Sequence, residues 1–418
     1  MITASLKSHR ALIAARQPGV GMAGELYSRQ DIFDTDLDIF FYKHWIQVAV
    51  TADVEEPGDV FTVDIGKASV LIVRDDDEQV RAYRNVCRHR GARLKAPGKS
   101  TVGMLVCPYH QWTYELDGSL KHVKNMGKDF DPKCRSLIPV HCKVIGAHIL
   151  ICLSDNPPED IADLEEVMGP RFAPFDLTNT KIAYELDYVE QGNWKLVMEN
   201  NRECYHCEGT HPELIVSYQS EDLGVSFDEM TDEARASFDA YQIRKAGIEA
   251  DWERSGLLWQ TVEHLADDAP TQFRTQRMII AGSGESQTLD TKVACTKLLG
   301  NLTRKDLGDT HLWGNNAWCH VMSDHAMISW IIPLSPEQTL VRTKWLVHKD
   351  AVEGVDYDLQ KLTEVWVATT QQDAALVAIT HSGTQDPAFV PGAYSVFTEP
   401  YVDQFARWYA SRLAAHGV

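Results

Sequence analysis

The chain has 418 residues, with 40 basic against 60 acidic side chains, a formal charge of −20, 44% hydrophobic and 24% charged residues. That composition supplies cores for two or three domains and excludes global disorder, and the surplus of negative charge repels phosphate backbones and anionic headgroups, so neither nucleic acid nor membrane is an expected partner. The best apolar run, residues 144–153, is too short to span a bilayer, and residues 11–15 are too short for a signal-peptide core. A cytoplasmic protein is therefore expected, with its nine cysteines in metal sites or buried as thiols rather than in a disulfide framework.

In chain order, residues 1–44 are expected to pack on the C-terminal part. From 45 to 155 the sequence reads as short β-runs (61–65, 69–74, 80–86, 112–116 and 144–153) separated by turn signals at Gly66, Asp75 to Asp77 and Asp117-Gly118. This predicts a compact all-β unit. Asn156-Pro157-Pro158 breaks the pattern. In residues 156–418, helical stretches at 195–207 and 357–380 mix with strands at 326–333 and 338–347, so the second domain is α+β.

Two segments carry the chemistry. The first is Cys87-Arg-His89 and, after seventeen intervening residues, Cys107-Pro-Tyr-His110. Each is a tight turn offering one thiolate and one imidazole. Two such turns side by side suit a [2Fe–2S] cluster with two Cys on one iron and two His on the other. Gly91 and Pro108 suit tight loops, and Tyr109 and Trp112 are bulky enough to shield a cluster. A Cys₂His₂ zinc site is the alternative, but zinc fingers usually pair Cys with Cys and His with His.

The second segment runs from Asn193 to Pro212. Glu203 and His206 are expected on one helix face. His211 cannot share that face unless the helix ends first, and Gly209 and Pro212 supply an ending. Two imidazoles and a carboxylate with open positions form the facial triad of non-haem Fe(II). The third ligand is expected from the helical stretch 357–380, at Asp373, with Glu364 as the alternative. Cys204 and Cys207 form a C-x-x-C without thioredoxin-like surroundings, so buried unreactive thiols are expected there.

The two motifs together resemble the α-subunits of Rieske-type non-haem iron oxygenases, along nearly the whole chain. The resemblance implies an N-terminal all-β Rieske [2Fe–2S] domain followed by a helix-grip catalytic domain of antiparallel sheet and helices. It implies that Cys87, His89, Cys107 and His110 hold the cluster and that His206, His211 and Asp373 hold the mononuclear iron. Glu203 matches the family's bridging carboxylate, usually Asp, which links a cluster histidine of one subunit to an iron histidine of the next. The family's two metal sites lie too far apart within one chain for useful electron transfer, which implies a head-to-tail C3 homotrimer. Within the family, the runs from Cys87 to Arg93, Asn193 to His206 and Thr343 to Tyr357 look most like the quaternary-ammonium demethylases.

That likeness implies O₂-dependent N-demethylation of glycine betaine or proline betaine (stachydrine), with formaldehyde released. No G-x-G-x-x-G fingerprint is present, so electrons are expected from a separate NAD(P)H-dependent reductase. A quaternary ammonium group is held by aromatic faces. Trp259 and Trp318 are the expected pocket residues, with His320 for the substrate carboxylate. The competing expectations are a Rieske oxygenase acting on a neutral aromatic, since fold does not determine substrate, and a Rieske electron carrier fused to a binding domain.

Overall fold

Turn residues set the topology of the first half of the chain. The structure is a computed structural model describing residues 8–222, 224, 226 and 230–418. Gly66, at φ 55°, closes the hairpin of Asp59–Ile65 with Ala68–Arg74, and Gly146, at φ 58°, closes that of Pro139–Ile145 with His148–Cys152. The second hairpin corrects the single strand expected over 144–153. An apolar run says nothing about where the chain reverses, and Gly146-Ala147 reverses it. These strands join Ile46–Val50, Val80–Arg84 and Gly98–Thr101 in a seven-stranded antiparallel sheet. A separate three-stranded sheet of Leu105–Val106, Thr113–Tyr114 and Leu120–His122 packs over a core that includes Leu71, Tyr83, Leu105, Tyr114 and Leu137. The compact unit made this way spans residues 40–159.

The other unit combines the residues up to 39 with 160–418. Its frame is a second seven-stranded antiparallel sheet, in the order Thr180–Glu190, Gln338–His348, Ala326–Ser335, Ala317–Val321, Asp309–Trp313, Phe273–Met278 and Val262–His264. The inner strand Ala326–Ser335 is buried along almost its whole length, as a strand covered on both faces must be. The helix Leu359–Thr384 packs on the first of these strands and on the helix Trp194–Asn200. This is the α+β architecture expected for the C-terminal part.

The N-terminal segment is fastened to this unit by buried polar groups. Asp36 accepts hydrogen bonds from Trp194 Nε1 (3.0 Å) and Tyr409 Oη (2.7 Å) and forms an ion pair with Lys195, both charges being fully buried. Tyr27 donates to Glu199 at 2.9 Å. Removing one member of such a buried pair strands the other charge, at a cost of about 3–5 kcal/mol. Among the described residues no helix is long and apolar enough to cross a membrane.

Candidate active site

Two loops built alike present the four candidate cluster ligands. In one, the Cys87 N–H donates to Ala92 O (2.8 Å) and the Gly91 N–H to Cys87 O (3.1 Å). In the other, the Cys107 N–H donates to Trp112 O (2.8 Å) and the Gln111 N–H to Cys107 O (3.1 Å). Both loops need a left-handed residue at the same place, filled by Gly91 (φ 79°) and by Gln111 (φ 61°). The thiols of Cys87 and Cys107 are buried in the apolar core beneath the loops, while His89 and His110 are exposed above it with ring centroids 4.7 Å apart.

Trp112 is buried and stacks on His89 at 4.8 Å, and Tyr109, half exposed, lies 3.8 Å from His110. Burial pushes the Cys107 thiol pKa up, as does neighbouring Cys87, against the N–H groups of Tyr109 and His110 that favour the thiolate. Tyr114 Oη accepts from the Arg88 N–H (3.0 Å) and so can give its own proton to Cys87 Sγ at 3.4 Å. Two soft sulfurs on the dry side and two imidazoles on the wet side fit a [2Fe–2S] cluster held by Cys87, Cys107, His89 and His110.

The second centre begins at a helix end. Trp194–Asn200 is capped by Asn193, whose side chain accepts from the Lys195 N–H, and it stops at Asn200. This corrects the helix expected over 195–207. Asn200 and Asn201 favour an ending over propagation, and residues 201–206 form turns rather than helix. Glu203 and His206 therefore meet across a turn, not on a helical face. The four-residue helix Cys207–Thr210 then delivers His211.

Cys204 and Cys207 are joined in a disulfide, with Cα atoms 4.9 Å apart. The expectation of free buried thiols is thus wrong, and Cys207, although its sulfur is 4.0 Å from His206 Nε2, is not an available ligand.

Asp373 reaches this loop from the middle of the helix Leu359–Thr384. His206 Nε2 and His211 Nε2 are 3.1 Å apart, and Asp373 Oδ1 lies 3.3 and 3.1 Å from them. Each imidazole has its other nitrogen tied outward: His206 Nδ1 to Glu203 Oε1 (2.6 Å) and His211 Nδ1 to Gln372 Oε1 (2.8 Å). Gln372 in turn donates to Glu213 at 2.8 Å. With both Nδ1–H protons given away, both Nε2 lone pairs face inward, beside a carboxylate oxygen. Such an arrangement is repulsive unless a cation sits among them, so the donor set fits a ferrous ion. Glu364, the alternative ligand, bonds instead to Gln360 at 3.5 Å.

A cavity of about 530 Å³ opens on these three residues. His320 lines it, but Trp259 and Trp318 do not; the lining tryptophans are Trp313 and Trp366. Trp259 packs against Tyr241, Trp252 and Ile279, and Trp318, at the hairpin end of its strand, packs with the cluster around Trp345 and Val347. Nothing in the residue type distinguishes a pocket tryptophan from a core one.

His320 Nδ1 lies 2.5 Å from the buried Asp309 carboxylate. Gln287 donates to Asp309 (3.0 Å) and accepts from Trp366 Nε1 (2.9 Å). His320 Nδ1 is therefore held by a carboxylate of the protein, which leaves Nε2 as its nitrogen for a substrate group. Sequence reasoning missed Asp309, Trp366 and Gln372; only Gln372, adjacent to Asp373, stood beside a recognised residue.

Residues 44–142 match the Rieske [2Fe–2S] domain family, and residues 177–415 match the ring hydroxylating alpha subunit (catalytic domain) family. The glycine betaine monooxygenase oxygenase subunit of Pseudomonas aeruginosa is 39% identical over 97% of this chain and 92% of its own length. The subunit of the same name from Chromohalobacter salexigens is 39% identical over 96% of this chain and 88% of its own. Among solved structures, the quaternary ammonium Rieske monooxygenase CntA superposes with a TM-score of 0.70 at 19% identity, covering 98% of this chain and 99% of the other. Naphthalene 1,2-dioxygenase from Rhodococcus sp. does so with a TM-score of 0.64 at 16% identity, covering 95% of each. The chain belongs to the α-subunits of the Rieske non-haem iron oxygenases, oxidoreductases that join a [2Fe–2S] domain to a catalytic domain binding mononuclear iron.

Proposed function

We propose that this chain is the oxygenase subunit of a monooxygenase that removes an N-methyl group from a small betaine, glycine betaine first. The observation that carries this reading is the 39% identity, over nearly the full length of both chains, to glycine betaine monooxygenase subunits. The cavity supports it with a buried carboxylate, Asp309, joined through Gln287 to the Trp366 indole, and with Tyr218 also in the lining. A trimethylammonium group has no N–H to donate, so aromatic faces and a nearby negative charge are what can hold it. A cavity for a neutral arene would gain nothing from a buried Asp309.

The iron supplies O₂ activation when bound, and His206, His211 and Asp373 would hold it. Glu203 and Gln372 orient the two imidazoles and hold their Nδ1 protons. In the reaction, one oxygen atom enters a methyl C–H bond and the other leaves as water, with two electrons and two protons consumed. The hydroxymethylammonium product loses its O–H proton and expels the tertiary amine, releasing formaldehyde. Electrons come from a separate NAD(P)H-dependent reductase.

In a head-to-tail C3 homotrimer, Glu203 would link His110 of one protomer to His206 of the next. Two features support this: His89 and His110 are exposed, with the exposed Tyr109 3.8 Å from His110, and Glu203 accepts from the N–H of the exposed Tyr205. The Glu203 carboxylate, already accepting from His206 and from the Tyr205 N–H, still has lone pairs for a further donor.

The test is to supply reductase, NAD(P)H and glycine betaine and to measure formaldehyde against O₂ consumed. One formaldehyde per O₂ is expected. O₂ consumption coupled to hydroxylation of an arene, with no formaldehyde from any quaternary ammonium compound, would overturn the reading.

A further inference from the structure

Four cationic side chains line the catalytic cavity: Arg202, Lys245, Arg274 and Arg277. Two are in ion pairs. Lys245 Nζ is 2.8 Å from Asp222 and Arg274 Nε is 3.0 Å from Glu263. Arg277 forms no ion pair among the described residues, but Nε and Nη1 donate to the Leu258 and Leu307 carbonyls, only Nη2 is without a partner there, and Asp309 opposes the lowering of its pKa by burial to about 10. Arg202 differs. It is 4% exposed, its Nη2 donates to Gly314 O at 3.1 Å, and its guanidinium lies 4.0 Å over the Trp313 ring. Among the described residues its Nε and Nη1 have no hydrogen-bond partner. Burial alone lowers its pKa, to about 9, with no carboxylate opposing, so it stays protonated at neutral pH. The adjacent Glu203 carboxylate is turned to His206 and the Tyr205 N–H and makes no ion pair with Arg202.

A buried ion with unmade hydrogen bonds and no counter-ion is costly to keep. At the wall of a cavity it is compensated when an anion arrives from outside. We infer that Arg202 is the receptor for the carboxylate of a zwitterionic substrate and so a specificity-determining residue of this enzyme. The inference rests on the betaine reading and deepens it. Asp309 and the aromatic lining meet the cationic end, and Arg202 meets the anionic end. The cavity is thereby complementary to a zwitterion rather than to a bare cation such as choline or tetramethylammonium. A guanidinium also suits this place better than an ammonium would, because its flat face can lie on Trp313 while its edge donates to a carboxylate.

The experiment uses the full-length holoenzyme with Arg202→Gln and Arg202→Lys, each checked for iron content and cluster spectrum. Losing a hydrogen bond to a charged group weakens glycine betaine binding roughly 10- to 100-fold, seen as a rise in KM larger than any fall in kcat. Binding of choline and of tetramethylammonium, followed by calorimetry, stays within about twofold of wild type, since neither carries a carboxylate. If Arg202→Gln fails to load iron, the same split is read from Arg202→Lys. Equal loss of all three ligands means Arg202 only supports the loop and overturns the inference; so does unchanged glycine betaine binding.

Should wild-type protein bind no quaternary ammonium compound, the betaine reading fails by itself. Arg202 is then still decided by acetate: binding to wild type that is lost in Arg202→Gln sustains the anion receptor, and equal binding to both refutes it.

Discussion

The two metal-binding regions are built on opposite plans. The cluster loops are local: each closes within six residues, and their four candidate ligands come from two turns of one small domain. The iron site is non-local. Its two histidines sit on an irregular loop after a helix end, and its carboxylate comes from a helix more than 150 residues later in the chain. Local sites are carried by spacing, because a turn of fixed length can present its side chains in few ways. A non-local site is carried by packing, and its third member is recognisable only once the helix that bears it is known to cross the loop.

The sharpest way to separate the two plans is Asp373→Ala. It should remove mononuclear iron and lower turnover at least about 1,000-fold, since a catalytic metal supplies several kcal/mol of barrier lowering. The cluster spectrum should be unchanged, because no cluster ligand depends on that helix; its loss would break the comparison.

Acid should act on the cluster domain through a different residue. His148, fully buried and bonded to Gln47 Oε1 at 2.7 Å, has its pKa pulled by burial from 6.5 down to about 4. The unfolded chain binds this proton more readily. Its contribution is therefore fully present above pH ~6.5 and is lost as pH falls toward 4, amounting to about 3 kcal/mol. Melting of wild type against His148→Gln across that window checks this, and parallel pH curves would refute it.

Glu203→Gln should reduce coupled turnover by about 100-fold while both metals remain bound, as expected for a residue that orients a ligand rather than coordinating. Metal analysis beside O₂-coupled activity makes the distinction, and full activity would remove Glu203 from its proposed role. The smallest effect concerns the paired loops. Gln111 holds the left-handed conformation that Gly91 adopts at the same place in the other loop. Gln111→Gly should stabilise the cluster domain by about 1 kcal/mol, read as a higher Tm; destabilisation would show that the two loops are not equivalent.

The same contrast explains what could be read in the sequence. Cys87, His89, Cys107 and His110 were legible because their spacing alone says tight turn, soft ligand and imidazole. The all-β character of the first domain was legible from its strand and turn punctuation, except at Gly146-Ala147, where a reversal hides inside an apolar run. His206 and His211 were legible as a pair, but through a helix that ends earlier than expected. Asp373 came from its place in a predicted helix together with the resemblance, and spacing alone left Glu364 as an alternative.

Trp259 and Trp318 are half-buried against core clusters away from the cavity lining, whereas Trp366, Asp309 and Arg202 line it. Which face of a strand or helix meets a cavity is decided by tertiary packing, not by residue type. An arginine four residues before a metal ligand reads in sequence as a solvated charge, and only its burial, with no counter-ion among the described residues, shows otherwise.

The most direct test of the two-centre account is to purify the protein without oxygen and to count iron and acid-labile sulfide per chain, beside the low-temperature EPR spectrum of the reduced sample. One [2Fe–2S] cluster plus one mononuclear site predicts about three irons and two sulfides with a Rieske-type signal. Zinc in place of iron, without sulfide, would contradict it.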